Sequence, residues 1–424
     1  MSEAPPQPRD PILLCATIAS IFVLLAMMRI ELPTKPYFDE VHYLPAARAI
    51  LEGGPYINPE HPLLGKLFLA AGISLFGDNP IGWRIFPMAM GALALFGAMR
   101  AMWHATLDRF ATMAFGVLLG TGFHIFVHMR IAMLDIFMAA FLSVAAWHLA
   151  AAIRKPEQGR WRLALVGIAI GLAMASKWNA VPLAMVPGLA FFAARISAGR
   201  KRLLTSTRGV PVPGISLLEA FLWLGIVPLL VYAITFWPGY GLLNSPLDSK
   251  GLFGLHEEIV ALQSSNMAGH PYQSTWTQWV LNTRGIWYLY EFTDNAQRGI
   301  LLIGNPLTML LGLPALIWCA VTGVTRREWA KVAIVAGYAV SLGMWLIANK
   351  PIQFYYHYLI PSTFMLGALA LALSDIERTE YRWIAYVVLA GAFVMFAIYF
   401  KILTGAALEG PMSFAKWTWL EGWR

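Results

Sequence analysis

Eleven predominantly apolar stretches, each 14 residues or longer, contain no Asp, Glu, Lys or Arg: 11–28, 85–99, 110–129, 136–153, 163–176, 178–194, 220–247, 299–325, 332–349, 351–374 and 383–400. A helix that crosses a bilayer needs about 20 mostly apolar residues, and snorkelling side chains at its ends make up a deficit of a few. The pattern predicts an all-α polytopic membrane protein of about eleven transmembrane helices. Apolar residues form 58% of the chain and charged residues 13%, against roughly 45–50% and 25% in soluble domains. A disordered chain, a coiled coil and a multidomain cytosolic enzyme are excluded.

Net charge is +8, and its placement orients the chain. With the N-terminus inside, the inner connections are 100–109, 154–162, 195–208, 326–331 and 378–382, and they hold 16 of the 31 Lys and Arg residues. Short basic connections stay cytoplasmic. The expected location is the inner (plasma) membrane, with residues 29–84 and 239–298 as two large loops on the periplasmic side of one integral membrane unit spanning 1–424. No inner basic run accompanies a folded domain, so nucleic acid is not an expected partner. Cys15 and Cys319 both fall in spanning stretches and read as packed side chains. The first stretch lacks a small-x-small site near Met28 and reads as a retained helix.

Both outer loops look structured. After Pro36, Asp39 is a reasonable helix N-cap and Gly53-Gly54 a stop. Phe38, Tyr43, Leu44, Ala47 and Leu51 would share one face of a helix lying in the interface. Leu67 to Gly77 is too short to span and reads as interfacial or re-entrant. Residues 239–298, rich in Trp, Tyr, Asn and Gln, suit a cap at headgroup level.

The candidate chemistry lies on that outer side. Asp39-Glu40 is either a solvated cap or, given its apolar flanks Tyr37, Phe38, Val41 and Tyr43, a partly desolvated carboxylate pair of the kind a general base requires. His61 to Lys66 is either a turn entering an interfacial helix or a cation site for an anionic head group. Arg84, Arg130, Asp135 and Lys177 are charges beside spanning segments, where ionisable groups face a cavity or a partner. Lys177, followed by Trp178, is either an interface anchor or a phosphate contact, to which Arg130 would add a bidentate fork. His270-Pro271-Tyr272 with Trp276, Trp279, Arg284 and Trp287 reads as an aromatic belt or as a lid that stacks on a sugar or peptide. The tyrosines of Phe354 to Tyr358 read as belt residues, whereas His357 at that depth wants a polar partner. The chain has no HExxH, no CxxC pair, no short-spaced carboxylate cluster and no Walker loop, so no metal ligand is assigned.

With those residues in view, the chain resembles the protein O-mannosyltransferase family, polytopic glycosyltransferases of the GT-C class. Phe38-Asp39-Glu40-Val41-His42 looks like that family's acidic motif, and His61-Pro62 with Gly65-Lys66 like its His-Pro element. Trp83-Arg84, Arg130 to Asp135, Ser176-Lys177-Trp178, His270-Pro271-Tyr272, Gly304-Asn305-Pro306 and Phe354 to Tyr358 follow in the family's order. Residues 239–298 are too few for the MIR domain of eukaryotic members, so the likeness is to a minimal bacterial-type member.

The resemblance implies transfer of a sugar, with mannose expected, from a polyprenyl-phosphate carrier to Ser or Thr hydroxyls of translocated proteins, with inversion. It implies Asp39 as base, Glu40 orienting the acceptor or the loop helix, and Arg130 and Lys177 on the phosphate, with Arg84, His61 and Lys66 as weaker contacts. Asp135, Trp178, His270, Tyr272, Arg284 and His357 would line the substrate or its lid. No cofactor is obligatory; a divalent-cation requirement and the oligomeric state are left open. The alternatives are the same donor chemistry on a lipid or glycan, and a transporter or flippase. The absence of a repeat and the outer clustering of charges weigh against transport.

Overall fold

The computed structural model describes residues 8–198, 202–265, 269–348 and 350–424. The chain runs through α1 (Ile12–Met27), α2 (Glu40–Glu52), α3 (Leu64–Phe76), α4 (Pro80–Thr106), α5 (Arg109–Thr121), α6 (His124–His128), α7 (Asp135–Arg154), α8 (Gly159–Ser176) and α9 (Val181–Ala198). It continues with α10 (Leu217–Phe221), α11 (Val227–Ile234), α12 (Pro246–Ser264), α13 (Trp276–Val280), the strands β1 (Ile286–Thr293) and β2 (Ala296–Leu302), and α14 (Pro306–Thr325). The last helices are α15 (Trp329–Ile347), α16 (Leu359–Glu377) and α17 (Arg382–Leu403).

Among the described residues, nine helical segments are long and apolar enough to cross a membrane. Each of the eleven expected stretches contains helix, but α1 has only 16 residues and α5 only 13. The helices present apolar faces outward, as at Leu13, Leu229, Leu310 and Ile347, which is the surface a lipid solvent requires. The fold is a helical membrane bundle.

Two expected spans are corrected. The stretch 110–129 is not one helix: α5 stops at Thr121, Phe123 takes φ 76° and α6 begins at His124. Asn305 holds that break, its backbone N–H donating to Gly122 O at 3.3 Å and its side chain to Thr121 O at 2.9 Å. The stretch 299–325 begins as strand, because β2 pairs antiparallel with β1 from Ala296↔Thr293 to Leu302↔Ile286. Helix α14 starts only at Pro306, with the Asn305 side chain accepting from Leu307 N.

The two large loops are pinned together. Tyr56 N donates to Leu243 O at 2.9 Å and Leu243 N to Gly54 O at 3.0 Å. Gly53 terminates α2 in the left-handed conformation at φ 64°, as a glycine stop should, while Pro45 lies within that helix. Helix α3 packs between α2 and α4. A Cβ on Gly72 would strike Gly82 O, so that approach needs a glycine. The C-terminal tail seals the hairpin: Trp423 Nε1 donates to Asn282 O at 2.7 Å and Trp287 Nε1 to Trp423 O at 2.9 Å.

Candidate active site

The adjacent acids Asp39 and Glu40 point to different surroundings, and this divides their labour. Glu40 is fully buried and both its oxygens are engaged. Oε1 accepts from Arg84 Nε at 2.9 Å and Ala132 N at 3.0 Å; Oε2 accepts from Arg84 Nη2 at 3.0 Å and Tyr37 N at 3.2 Å. Arg84, also fully buried, donates further to Ile30 O and Pro33 O at 2.8 and 3.0 Å. This bidentate pair ties the entry of α2 to α4 and to the turn before α7. Such geometry repays the desolvation of two charges only when every lone pair and proton is satisfied.

Asp39 occupies the N-cap position of α2, but its side chain makes no capping hydrogen bond. Instead Oδ2 accepts from Tyr43 Oη at 3.3 Å, one turn along. The expected cap is therefore absent, and the half-buried carboxylate remains available. Burial raises its pKa above the ordinary carboxylate value; Lys177 opposes that shift and Asp135 adds to it. The same region contains a second acid–base pair. Lys177 Nζ lies 2.7 Å from Asp135 Oδ2, both nearly fully buried, and 4.9 Å from the centre of the Tyr356 ring. Phe38, held at φ 49°, stacks on Tyr288 with centroids 4.2 Å apart. His128 Nδ1 bonds His124 O at 2.7 Å, so Nε2 is left to accept from Tyr288 Oη at 3.3 Å.

Several residues assigned to the phosphate from sequence are engaged by the protein itself in this structure. Arg130 is buried with its guanidinium turned onto backbone carbonyls of Ala26, Met28, Arg29 and Thr404. Burial lowers its pKa to about 10. It ties α1 and the C-terminal tail to the turn before α7, and no fork is presented to a ligand. Arg84 is likewise closed by Glu40. Lys66 is fully buried and donates to Asn58 O and, at 2.9 Å, to His61 O; burial brings its pKa down to about 7. His61 is half-buried, edge-on to Tyr43 at 5.9 Å. Burial, then the charges of Lys177, Lys66 and Lys350, keep its ring neutral by pushing its pKa well below the usual histidine value. Among the described residues the Lys177 ammonium makes one hydrogen bond, to Asp135, which leaves two N–H donors.

The remaining candidates tie neighbouring segments to one another. Trp178 Nε1 donates to Tyr232 Oη at 2.8 Å and its ring stacks on His256 at 5.5 Å, joining the turn between α8 and α9 to α12. His270 is exposed, its Nδ1 accepting from Tyr272 N and its ring edge-on to Phe354 at 5.1 Å. Arg284 Nη2 donates to Pro271 O at 2.6 Å, which braces that turn. His357 is buried against Trp345 at 3.9 Å, and its Nδ1 accepts from Phe354 N. Among the described residues its Nε2 has no partner. Tyr355, Tyr356 and Tyr358 are not belt residues; a 3-10 turn over Tyr355–Tyr358 buries all three.

Sequence reasoning missed Lys350, Tyr288 and His128. Lys350 carried the same signal as Lys177, a solitary base between two spans. It is half-buried and has no ion-pair partner among the described residues. Burial and then the Lys177 charge bring its pKa down to about 8, against the pull of Asp135 and Asp39. Among the described residues, no three His, Cys, Asp or Glu side chains converge as a metal site would need.

A many-helix membrane core of this kind is the fold of the GT-C membrane glycosyltransferases. The chain superposes on the Saccharomyces cerevisiae protein O-mannosyltransferase Pmt1-Pmt2 complex bound to the sugar donor with a TM-score of 0.82 at 14% identity, over 98% of this chain and 93% of that one. It superposes on ArnT from Cupriavidus metallidurans bound to undecaprenyl phosphate with a TM-score of 0.56 at 14% identity, over 93% and 77%. Residues 60–235 match the dolichyl-phosphate-mannose-protein mannosyltransferase family, and residues 249–423 match the C-terminal four-transmembrane region of protein O-mannosyltransferase. Together these matches cover most of the chain, and it belongs to the protein O-mannosyltransferase family. It is 25% identical to a polyprenol-phosphate-mannose–protein mannosyltransferase of Mycobacterium tuberculosis, over 92% of this chain and 87% of that protein. The Corynebacterium glutamicum protein of the same description is 24% identical over 92% and 88%.

Proposed function

We propose that the chain transfers mannose from a polyprenyl-phosphate carrier to Ser or Thr hydroxyls of proteins. Family membership and the descriptions of its relatives support the donor and the acceptor class. In this reading Asp39 takes the hydroxyl proton as the acceptor oxygen attacks the anomeric carbon. The bond from that carbon to the phosphate oxygen breaks, and polyprenyl phosphate leaves with the electron pair. One displacement inverts the anomeric centre. Phosphate leaves as an anion without needing a proton, so the protein's task is one base and positive charge for the departing oxygen.

Lys177 supplies that charge through its two remaining N–H groups, and Asp135 keeps the ammonium in place. Glu40 and Arg84 fix the loop so that Asp39 meets the acceptor; Arg130 and Lys66 brace the neighbouring turns. The catalytic face is on the non-cytoplasmic side, the side assigned by the basic inner connections.

The observation that carries this assignment is the division between the two acids. Glu40 has both oxygens engaged, whereas Asp39 is half-buried beside the Lys177–Asp135 pair with, among the described residues, only Tyr43 as a side-chain hydrogen-bond donor. The test uses purified chain in lipid with radiolabelled polyprenyl-phosphate mannose and a Ser/Thr peptide. Label should reach the peptide with wild type and not with Asp39→Asn. Label reaching lipid alone would refute the protein acceptor.

A further inference from the structure

Beyond Trp345 the outer face holds a second feature that the chemistry above does not use. A groove of about 460 Å³ runs between the start of α13 and the connection from α15 to α16. Its two walls are stitched where Ser274 N donates to Gln353 O at 2.8 Å. Three glutamines, two tryptophans and one lysine dominate the lining: Gln273, Gln278, Gln353, Trp276, Trp345 and Lys350. Among the described residues no carboxylate lines it.

The hydrogen-bonding capacity is specific. Gln273 Oε1 accepts from His270 N and Gln278 Oε1 from Thr275 N, so each keeps its amide N–H₂ for a ligand. Gln353 has the opposite polarity, because its Nε2 faces Trp345 O and Lys350 O and its Oε1 is left to accept. Two donor amides and one acceptor amide suit the alternating C=O and N–H groups of an extended polypeptide backbone. Indole faces suit its side chains without selecting one. A lipid tail would cover Trp276, Trp345, Leu346 and Pro351 but would leave the three amides and Lys350 without partners. Trp345 is the partition between the groove and the acid-bearing site: its ring packs tilted against His357, and both line a small cavity with Asp135 and Tyr356.

We propose that this groove binds the acceptor polypeptide in extended form beside the target hydroxyl, and that Lys350 makes it prefer acidic over basic flanking residues. The inference rests on the reading of the chain as a protein mannosyltransferase and adds its acceptor subsite. Lys350 is suited to the role because, among the described residues, no carboxylate neutralises it. An acidic flank would complete that missing pair, and a basic flank would meet repulsion. For a partly exposed pair the discrimination is about two- to fivefold in peptide affinity.

The experiment uses the full chain in nanodiscs and two fluorescent peptides, each with one Thr, flanked by Asp in one and Lys in the other. Peptide binding and mannose transfer are both measured. Wild type should bind the acidic peptide more tightly, and Lys350→Glu should reverse the order of the two peptide affinities. Gln353→Ala should weaken both peptides alike. Reversal of the binding preference without any transfer would support the groove and refute the enzymatic reading. An unchanged preference in Lys350→Glu, or a raised donor KM in place of a changed peptide KM, would overturn the proposal.

Discussion

Lys177 and Asp135, 42 residues apart in sequence, form an ion pair of 2.7 Å that is almost wholly removed from solvent. Breaking such a pair strands a buried charge at about 3–5 kcal/mol, whereas replacing both partners with apolar groups is often neutral. Lys177→Met should therefore lose both transfer and thermal stability. Lys177→Met combined with Asp135→Leu should regain much of the melting temperature and none of the transfer. Thermal denaturation in detergent alongside a mannose-transfer assay checks both. Recovery of activity in the double variant would remove Lys177 from the chemistry.

The two neighbouring acids predict opposite phenotypes. Glu40→Gln weakens the charged contact to Arg84 inside a buried network and should lower the melting temperature substantially, with an expected loss of about 3 kcal/mol or more. Asp39→Asn touches no buried pair and should leave the fold intact. A Glu40→Gln protein as stable as wild type would show that the Arg84 contact contributes little.

Asp39 also predicts a pH signature. Its pKa is raised in the folded state by burial, with Asp135 adding and Lys177 opposing. The folded state thus holds the proton more tightly than the unfolded chain. The stability contribution is present below the unfolded pKa and lost as pH rises through the folded one. At neutral pH the ionised carboxylate is destabilising, so Asp39→Asn should raise the melting temperature there and have no such effect near roughly pH 3. Transfer by wild type should rise with pH through an apparent pKa above that of an ordinary aspartate. Melting curves that shift equally at both pH values would contradict the assignment.

Asn305 predicts a structural phenotype at a motif residue. Its fully buried side chain donates to Thr121 O and Ala392 O at 2.9 Å each and caps α14. Asn305→Ala leaves two carbonyls without that donor, at about 1–3 kcal/mol each. Melting temperature should fall while the donor KM of the folded fraction stays unchanged. A raised donor KM with unaltered stability would place Asn305 in the substrate site.

Much of the bundle was legible because spans announce themselves as long runs without charge. The strand β2 was not, since Gly299 to Leu302 is apolar and continuous with α14, and periodicity cannot separate a short apolar strand from a helix start. Nor was the break at Gly122-Phe123, because an isolated glycine is tolerated inside a helix. In the site, Asp39 and Lys177 stood out as charges flanked by apolar residues. What sequence could not indicate was how the other charges were matched. Arg84 meets an acid 44 residues away, and Arg130 meets carbonyls up to 274 residues away. An arginine beside a span looks the same whether it faces a ligand or a ring of backbone oxygens.

The most direct test of the account separates donor binding from transfer in Asp39→Asn. Binding of polyprenyl-phosphate mannose to the purified variant in nanodiscs should match wild type, because Lys177 and Asp135 are untouched. Single-turnover transfer to a Thr peptide should fall by about 10²–10⁴-fold, the worth of a positioned general base. Transfer within a few-fold of wild type at saturating donor would contradict the central assignment of Asp39.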